Sequence, residues 1–163
     1  MNEQPKRTAF RPANPDFESR VRDSFARQPM MDHIGAELTV VAPGYCEIDM
    51  PYLRSLTQQH GYIHGGAMAT IADSAAGYAA FTLAPADHSI LTVEYKLNLV
   101  RPGEGKRFIA KGVVVKPGKI LTVVNADVYA VREGKEVLCV TSIQTLMSLA
   151  GQTDDAHRAT VRS

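Results

Sequence analysis

The stretch from Gly65 to Ala84, GGAMATIADSAAGYAAFTLA, decides the fold. Its length and Ala-rich composition predict a helix, but it has almost no polar face, which an ordinary surface helix would show. Such a helix has to be buried on nearly every side, so the rest of the chain must supply its walls. One ionisable residue, Asp73, stands inside it among Ala, Ile, Met, Gly and Tyr.

The sequence turns β-like after Pro85. ILTVEYKLNLV, RFIAKGVVVK, ILTVVNADVYAV and EVLCVTSIQTLMSL are rich in β-branched residues and separated by Arg101-Pro102-Gly103, Pro117-Gly118 and Glu133-Gly134-Lys135. Ahead of the helix, AELTVVA and YCEIDMPY meet at Pro43-Gly44, so residues 36–52 read as a hairpin, and Arg54 to Ile63 reads as irregular. Further upstream, PDFESRVRDSFARQ puts Phe17, Val21, Ser24 and Phe25 on one helical face, with Asn14 as N-cap and Pro29 as stop. Residues 1–13 read as a flexible arm, 14–150 as the domain and 151–163 as a flexible tail. The class is α+β: an antiparallel meander of about six strands, curved around one long central helix.

Bulk properties narrow the function. A chain of 163 residues that is 45% hydrophobic can bury one core. Eighteen Lys and Arg against seventeen Asp and Glu leave a formal charge of +1 and no basic stripe for nucleic acid. With no apolar leader at the start and no apolar run of about 18 residues, we expect a cytoplasmic protein without a membrane segment. Cys46 and Cys139 sit in separate strand-like runs and read as buried free thiols.

The chemistry concentrates in one region. Gly65 and Gly66 open the helix, where amide groups lack intrahelical acceptors and missing side chains let a ligand oxygen approach. Two glycines alone would equally serve a tight turn. Asp73 is costly to bury without a purpose or partner, although a structural carboxylate bonded to Ser74, Tyr78 or backbone would also account for it. Gly65 and Asp73 are eight residues apart, roughly 12 Å along a helix, too far to grip one small group together. Two copies with their central helices antiparallel would bring Gly65 of one to Asp73 of the other.

The segments QQHGYIHGGAMATIADSAAGYAA (58–80) and LTVEYKLNLVRPGEG (91–105) resemble the hotdog thioesterases of the phenylacetic-acid-pathway and 4-hydroxybenzoyl-CoA type. The resemblance spans about residues 30–149 and implies the hotdog fold and hydrolysis of an acyl- or aryl-CoA. It implies that Asp73 is nucleophile or general base, that the Gly65 amide polarises the carbonyl, that Gln58 assists, and that Thr92 orients the attacking water. The sequence does not separate the two roles of Asp73.

Binding roles follow from position. His64 and Gly66 flank the carbonyl site, with His64 steadying the loop through a backbone hydrogen bond. Arg101, Lys116 and Lys119 lie at strand ends where cations could meet coenzyme A phosphates. Met30, Met31 and Ile34 are candidates for the acyl pocket. No cofactor is expected, since coenzyme A enters as part of the substrate, and His60 with His64 does not make a metal site. The expected assembly is a homodimer with active sites at the interface, extending to a homotetramer. Enoyl-CoA hydration is disfavoured because no His follows Asp73 within five residues. The competing reading is a non-catalytic acyl-CoA-binding or sensor module, against which the joint presence of Asp73, Gly65 and Gln58 argues.

Overall fold

The computed structural model describes residues 9–152. Residues 153–163 of the expected tail and the first eight residues of the expected arm lie outside them. Within that arm, Phe10 packs on the core, with its ring where a Cβ on Gly44 would stand.

Two short helices come first. Asn14 Oδ1 accepts the Asp16 N–H at 3.1 Å, and α1 runs Phe17–Ala26 with Val21 and Ser24 buried. Asp16, not Asn14, is the N-cap residue. Pro29 does end the upstream helix, but it also opens a new one, α2 at Pro29–His33. Its missing N–H costs nothing at the first helical position, where no intrahelical acceptor exists.

β1 (Glu37–Ala42) and β2 (Tyr45–Pro51) form the expected hairpin, with Gly44 at φ 72° in its turn. After a short 3-10 turn at Arg54–Leu56 comes the central helix, α3, at Gly65–Phe81. β3 (His88–Leu99), β4 (Arg107–Lys116), β5 (Leu121–Arg132) and β6 (Lys135–Ala150) follow. All six strands join one antiparallel sheet in the order β1-β2-β4-β5-β6-β3.

That order corrects the expected meander. Only β4, β5 and β6 follow one another, while β3 lies beyond β6 at the far edge. The Arg101-Pro102-Gly103 segment is therefore a crossover between strands that do not pair. Ile63 and Gly103 make an isolated bridge there, which ties the crossover to the loop before α3. A six-stranded antiparallel sheet with a central helix in this order has the general hotdog topology.

The core lies between α3 and the inner face of the sheet. Ile48, Met50, Phe108, Ala110, Val124, Val128, Val140 and Leu146 meet Ile71, Ala72, Ala75, Ala76 and Ala79 there, all essentially inaccessible. Alanines on α3 and Gly112 on β4 let helix and sheet approach almost backbone to backbone. A Cβ on Gly112 would stand 2.2 Å from the Ala75 carbonyl oxygen. α3 is not buried all round, however. Gly66 is exposed, and Ala69, Thr70, Asp73, Ser74 and Gly77 are half-buried along one face, because a single sheet covers only the opposite side.

Candidate active site

The start of α3 is fixed by a histidine cap. His64 is extended (φ −63°, ψ 136°), and its Nδ1 accepts the Gly66 N–H at 2.8 Å, which is the loop-steadying bond expected of it. The His64 carbonyl takes the N–H groups of Ala67 and Met68. Gly65, at the first helical position, has no carbonyl a turn earlier for its own N–H. A Cβ there would lie 2.8 Å from Cδ1 of the exposed Leu99 side chain, which would have to turn aside. Thus contact with Leu99 on β3 favours the first glycine, and closeness to the capping ring favours the second.

Gln58 stands in the loop that leads to this cap. Its side-chain oxygen accepts the His60 N–H, and its backbone N–H bonds the Tyr62 carbonyl at 2.9 Å. With Oε1 occupied, the group that Gln58 can offer a ligand is its NH2.

Two turns along α3, the half-buried Asp73 faces β3, and Thr92 Oγ1 donates to its Oδ1 at 2.8 Å. A bulge between Thr92 and Glu94 shifts the β3–β6 register at this point. Burial pushes the Asp73 carboxyl above the usual carboxylate range, and the Thr92 hydrogen bond pulls part of the way back. The structural alternative predicted Ser74, Tyr78 or backbone as the partner of Asp73, and the hydroxyl of Tyr78 is engaged elsewhere.

Asp73 opens on a cavity of about 380 Å³. One wall is α3 with Ser74, Gly77, Tyr78 and Phe81; another is the start of β3 with Ile90, Leu91 and Thr92; Ser24 and Gln28 close it. Gln28 Nε2 donates to the Tyr78 hydroxyl at 2.9 Å, and Ser24 Oγ lies 3.2 Å from the same oxygen. Sequence reasoning placed none of these three in a ligand cavity. Tyr78 carried a signal, because a phenol inside an apolar helix needs a polar partner.

The remaining candidates do not converge on this cavity. Met31 and Ile34 are buried in the main core, Met30 is 52% exposed, and none of the three lines the cavity. Exposed Arg101 donates to the Leu138 carbonyl at 3.1 Å. Lys116 and Lys119 are exposed near the other end of β6, where Ser148 N–H bonds Ile120 O. Ten residues of strand, roughly 33 Å, separate those two ends. Among the described residues, no three His, Cys, Asp or Glu side chains gather as metal ligands, and no helix is long and apolar enough to cross a membrane. Cys46 and Cys139 are buried free thiols.

The thioesterase superfamily profile matches residues 60–144, which include Gly65, Asp73 and Thr92. The chain belongs to the thioesterase superfamily. It is 50% identical to a thioesterase family protein of Silicibacter pomeroyi, covering 83% of this chain and 99% of that one at a TM-score of 0.82. The provisionally named esterase SSO1253 of Saccharolobus solfataricus is 28% identical over 127 residues, 78% of this chain and 82% of that protein. The E. coli PaaI protein, from the phenylacetic acid degradation operon, is only 16% identical but shares the fold, at a TM-score of 0.76 over 86% of this chain and 98% of PaaI.

Proposed function

We propose that this enzyme, a thioesterase by family, hydrolyses an acyl- or aryl-CoA to the free acid and coenzyme A. The observation that carries the proposal is the half-buried carboxylate of Asp73, held by Thr92 in the wall of a cavity. The acyl group enters the cavity and its thioester carbon stops at Asp73. The carboxylate either attacks that carbon, expelling the thiolate and leaving a mixed anhydride that water then hydrolyses to the acid, or takes a proton from a water that attacks the carbon as the thiolate leaves. Charge developing on the carbonyl oxygen meets the Gly65 N–H and the Gln58 NH2.

Gly65 and Asp73 come from different protomers in this reading. The open face of α3, with Gly66, Ala69, Thr70, Asp73 and Gly77, has side chains small enough for a second helix to lie close. β3 is an edge strand with Val93, Tyr95 and Leu99 exposed, an arrangement that a lone subunit would leave open to pairing. An antiparallel second copy covers both and completes two sites, and further pairing of dimers makes the tetramer. The sheet bends around α3 in the same reading, since β2 through β6 all reach the helix. His64 and Gly66 shape the carbonyl site. Arg101, close to the Gly65 end, is the cation best placed for coenzyme A, while Lys116 and Lys119 lie at the opposite end of their own subunit. Met31 and Ile34 act only through the core in which they are buried.

The test is thiol release from a panel of acyl-CoAs by the wild type, Asp73→Ala and Asp73→Asn, at matched folding and oligomeric state. Both variants should be inactive; retained turnover in either would remove Asp73 from the mechanism. Mixing inactive Asp73→Asn with inactive Gly65→Val subunits should restore about a quarter of wild-type activity, because half of the dimers regain one of two sites. Failure of subunit-exchanged mixtures to recover would place each site within one chain.

A further inference from the structure

We infer that the cavity selects acyl groups whose far end carries a neutral hydrogen-bonding group such as a hydroxyl, and that Gln28 is the selecting residue. The inference rests on the thioesterase reading above and specifies its substrate class. The far end of the cavity is polar, which an alkyl chain does not require. Gln28, Tyr78 and Ser24 come together there from two helices, with Gln28 and Tyr78 joined at 2.9 Å and Ser24 and Tyr78 at 3.2 Å.

Gln28 is held from both directions. Its N–H bonds Phe25 O at 3.0 Å at the end of α1, and its carbonyl takes the Met31 and Asp32 N–H groups that begin α2. Its side chain is held by the Tyr78 hydroxyl, whose ring is packed edge-on to Phe25 and Phe81 with centroids 5.6 and 6.4 Å away. With one N–H of Nε2 on the Tyr78 hydroxyl, the amide has Oε1 as an acceptor and its second N–H as a donor left for a ligand. A hydroxyl or amine arriving at this wall gains a hydrogen bond. A methyl group only strips water from the amide, and a carboxylate loses its own hydration as a full charge. No lining residue of the cavity is cationic, so nothing there compensates a carboxylate.

Tyr78 is five residues beyond Asp73, roughly 7.5 Å along the helix axis. Gly77 lies between them, and a Cβ there would meet nothing within 4 Å, so the path from the thioester carbon to Gln28 is unobstructed. A neutral hydrogen-bonding group at about that distance from the carbonyl fits, and the hydroxyl of an extended six-carbon ω-hydroxyacyl chain reaches it.

The experiment compares kcat/KM for 6-hydroxyhexanoyl-CoA, hexanoyl-CoA and adipoyl-CoA with the wild type, Gln28→Leu, Gln28→Glu and Tyr78→Phe, after thermal melts confirm folding. The hydroxyl-tipped substrate should exceed the methyl-tipped one by on the order of tenfold, the size of one neutral hydrogen bond, with adipoyl-CoA poorest. Gln28→Leu should bring the hydroxyl-to-methyl ratio close to one. Gln28→Glu, which keeps an acceptor, should preserve it, and Tyr78→Phe, which unties Gln28, should reduce it. Turnover of all substrates with no hydroxyl preference, or a preference unchanged in Gln28→Leu, overturns the inference and leaves hydrolysis standing. No turnover of any acyl-CoA overturns the thioesterase reading and this inference with it.

Discussion

Gly112→Ala tests whether the helix-to-sheet spacing sets the geometry of the catalytic acid. The new Cβ would stand 2.2 Å from Ala75 O, 2.5 Å from Ala75 C and 2.9 Å from Ala76 N. All three are backbone atoms, so no side chain can swing away to relieve the overlap. Restoring ordinary contact requires α3 to retreat from β4 by roughly 1 Å, and overpacking of this severity costs about 3 kcal/mol. For a domain of this size the midpoint of unfolding should fall by about 6–12 °C. Asp73 is two residues from Ala75, so the same retreat would stretch the 2.8 Å bond from Thr92 beyond the range of a hydrogen bond. A displacement of about 1 Å at a reacting group costs on the order of a hundredfold in rate. Thiol release should therefore drop by about that factor when measured well below the lowered midpoint. A Gly112→Ala protein that melts and turns over like the wild type would refute the argument.

Three other outcomes are expected. Burial raises the folded-state pKa of Asp73 above the unfolded value, so ionising it costs folding energy that is absent below the unfolded pKa and grows as pH rises toward the folded one. Asp73→Asn should consequently melt above wild type near pH 8, with the gap shrinking toward about pH 4. Thr92→Val removes the hydrogen bond that favours the carboxylate, so the acidic limb of the kcat/KM profile should move to higher pH; an unmoved limb would show that Asp73 does not govern it. Tyr95→Lys puts a charge on the exposed edge of the sheet, where Tyr95 is 51% accessible. Sedimentation should report monomers and thiol release should vanish, and an active monomer would contradict a shared site.

The parts of this molecule that were legible beforehand are those set by local chemistry. Pro43-Gly44 and Glu133-Gly134 mark turns because their backbones take conformations other residues resist, and both hairpins lie where they indicate. The Ala-rich run announces α3 by its lack of a polar face. The place of β3 was not legible, since its apolar residues pair equally well with any neighbour and only the crossover through Arg101-Pro102-Gly103 decides for β6. Pro29 was ambiguous because proline both ends one helix and begins the next. The link between Asp73 and Thr92 could be anticipated from the resemblance, but the meeting of Gln28 with Tyr78, 50 residues apart, leaves no trace in spacing. For the same reason Met31 and Ile34, apolar and close to the site in sequence, proved to belong to the core.

Arg20 holds α1 in place, with one guanidinium nitrogen on Pro85 O at 2.7 Å, another on His88 O, and its plane over the Phe81 ring. The helix that contributes Ser24 is thereby clipped beside the sheet and gives the core Val21 and part of Phe25. Substitutions elsewhere along that helix can accumulate without disturbing strand register or the acid beneath, whereas almost any change on the buried face of α3 is felt throughout the sheet. The two halves of the cavity are consequently under unequal constraint. Relatives of this chain can be expected to keep the catalytic half and vary the clipped half, so preference among acyl groups can drift while hydrolysis is retained.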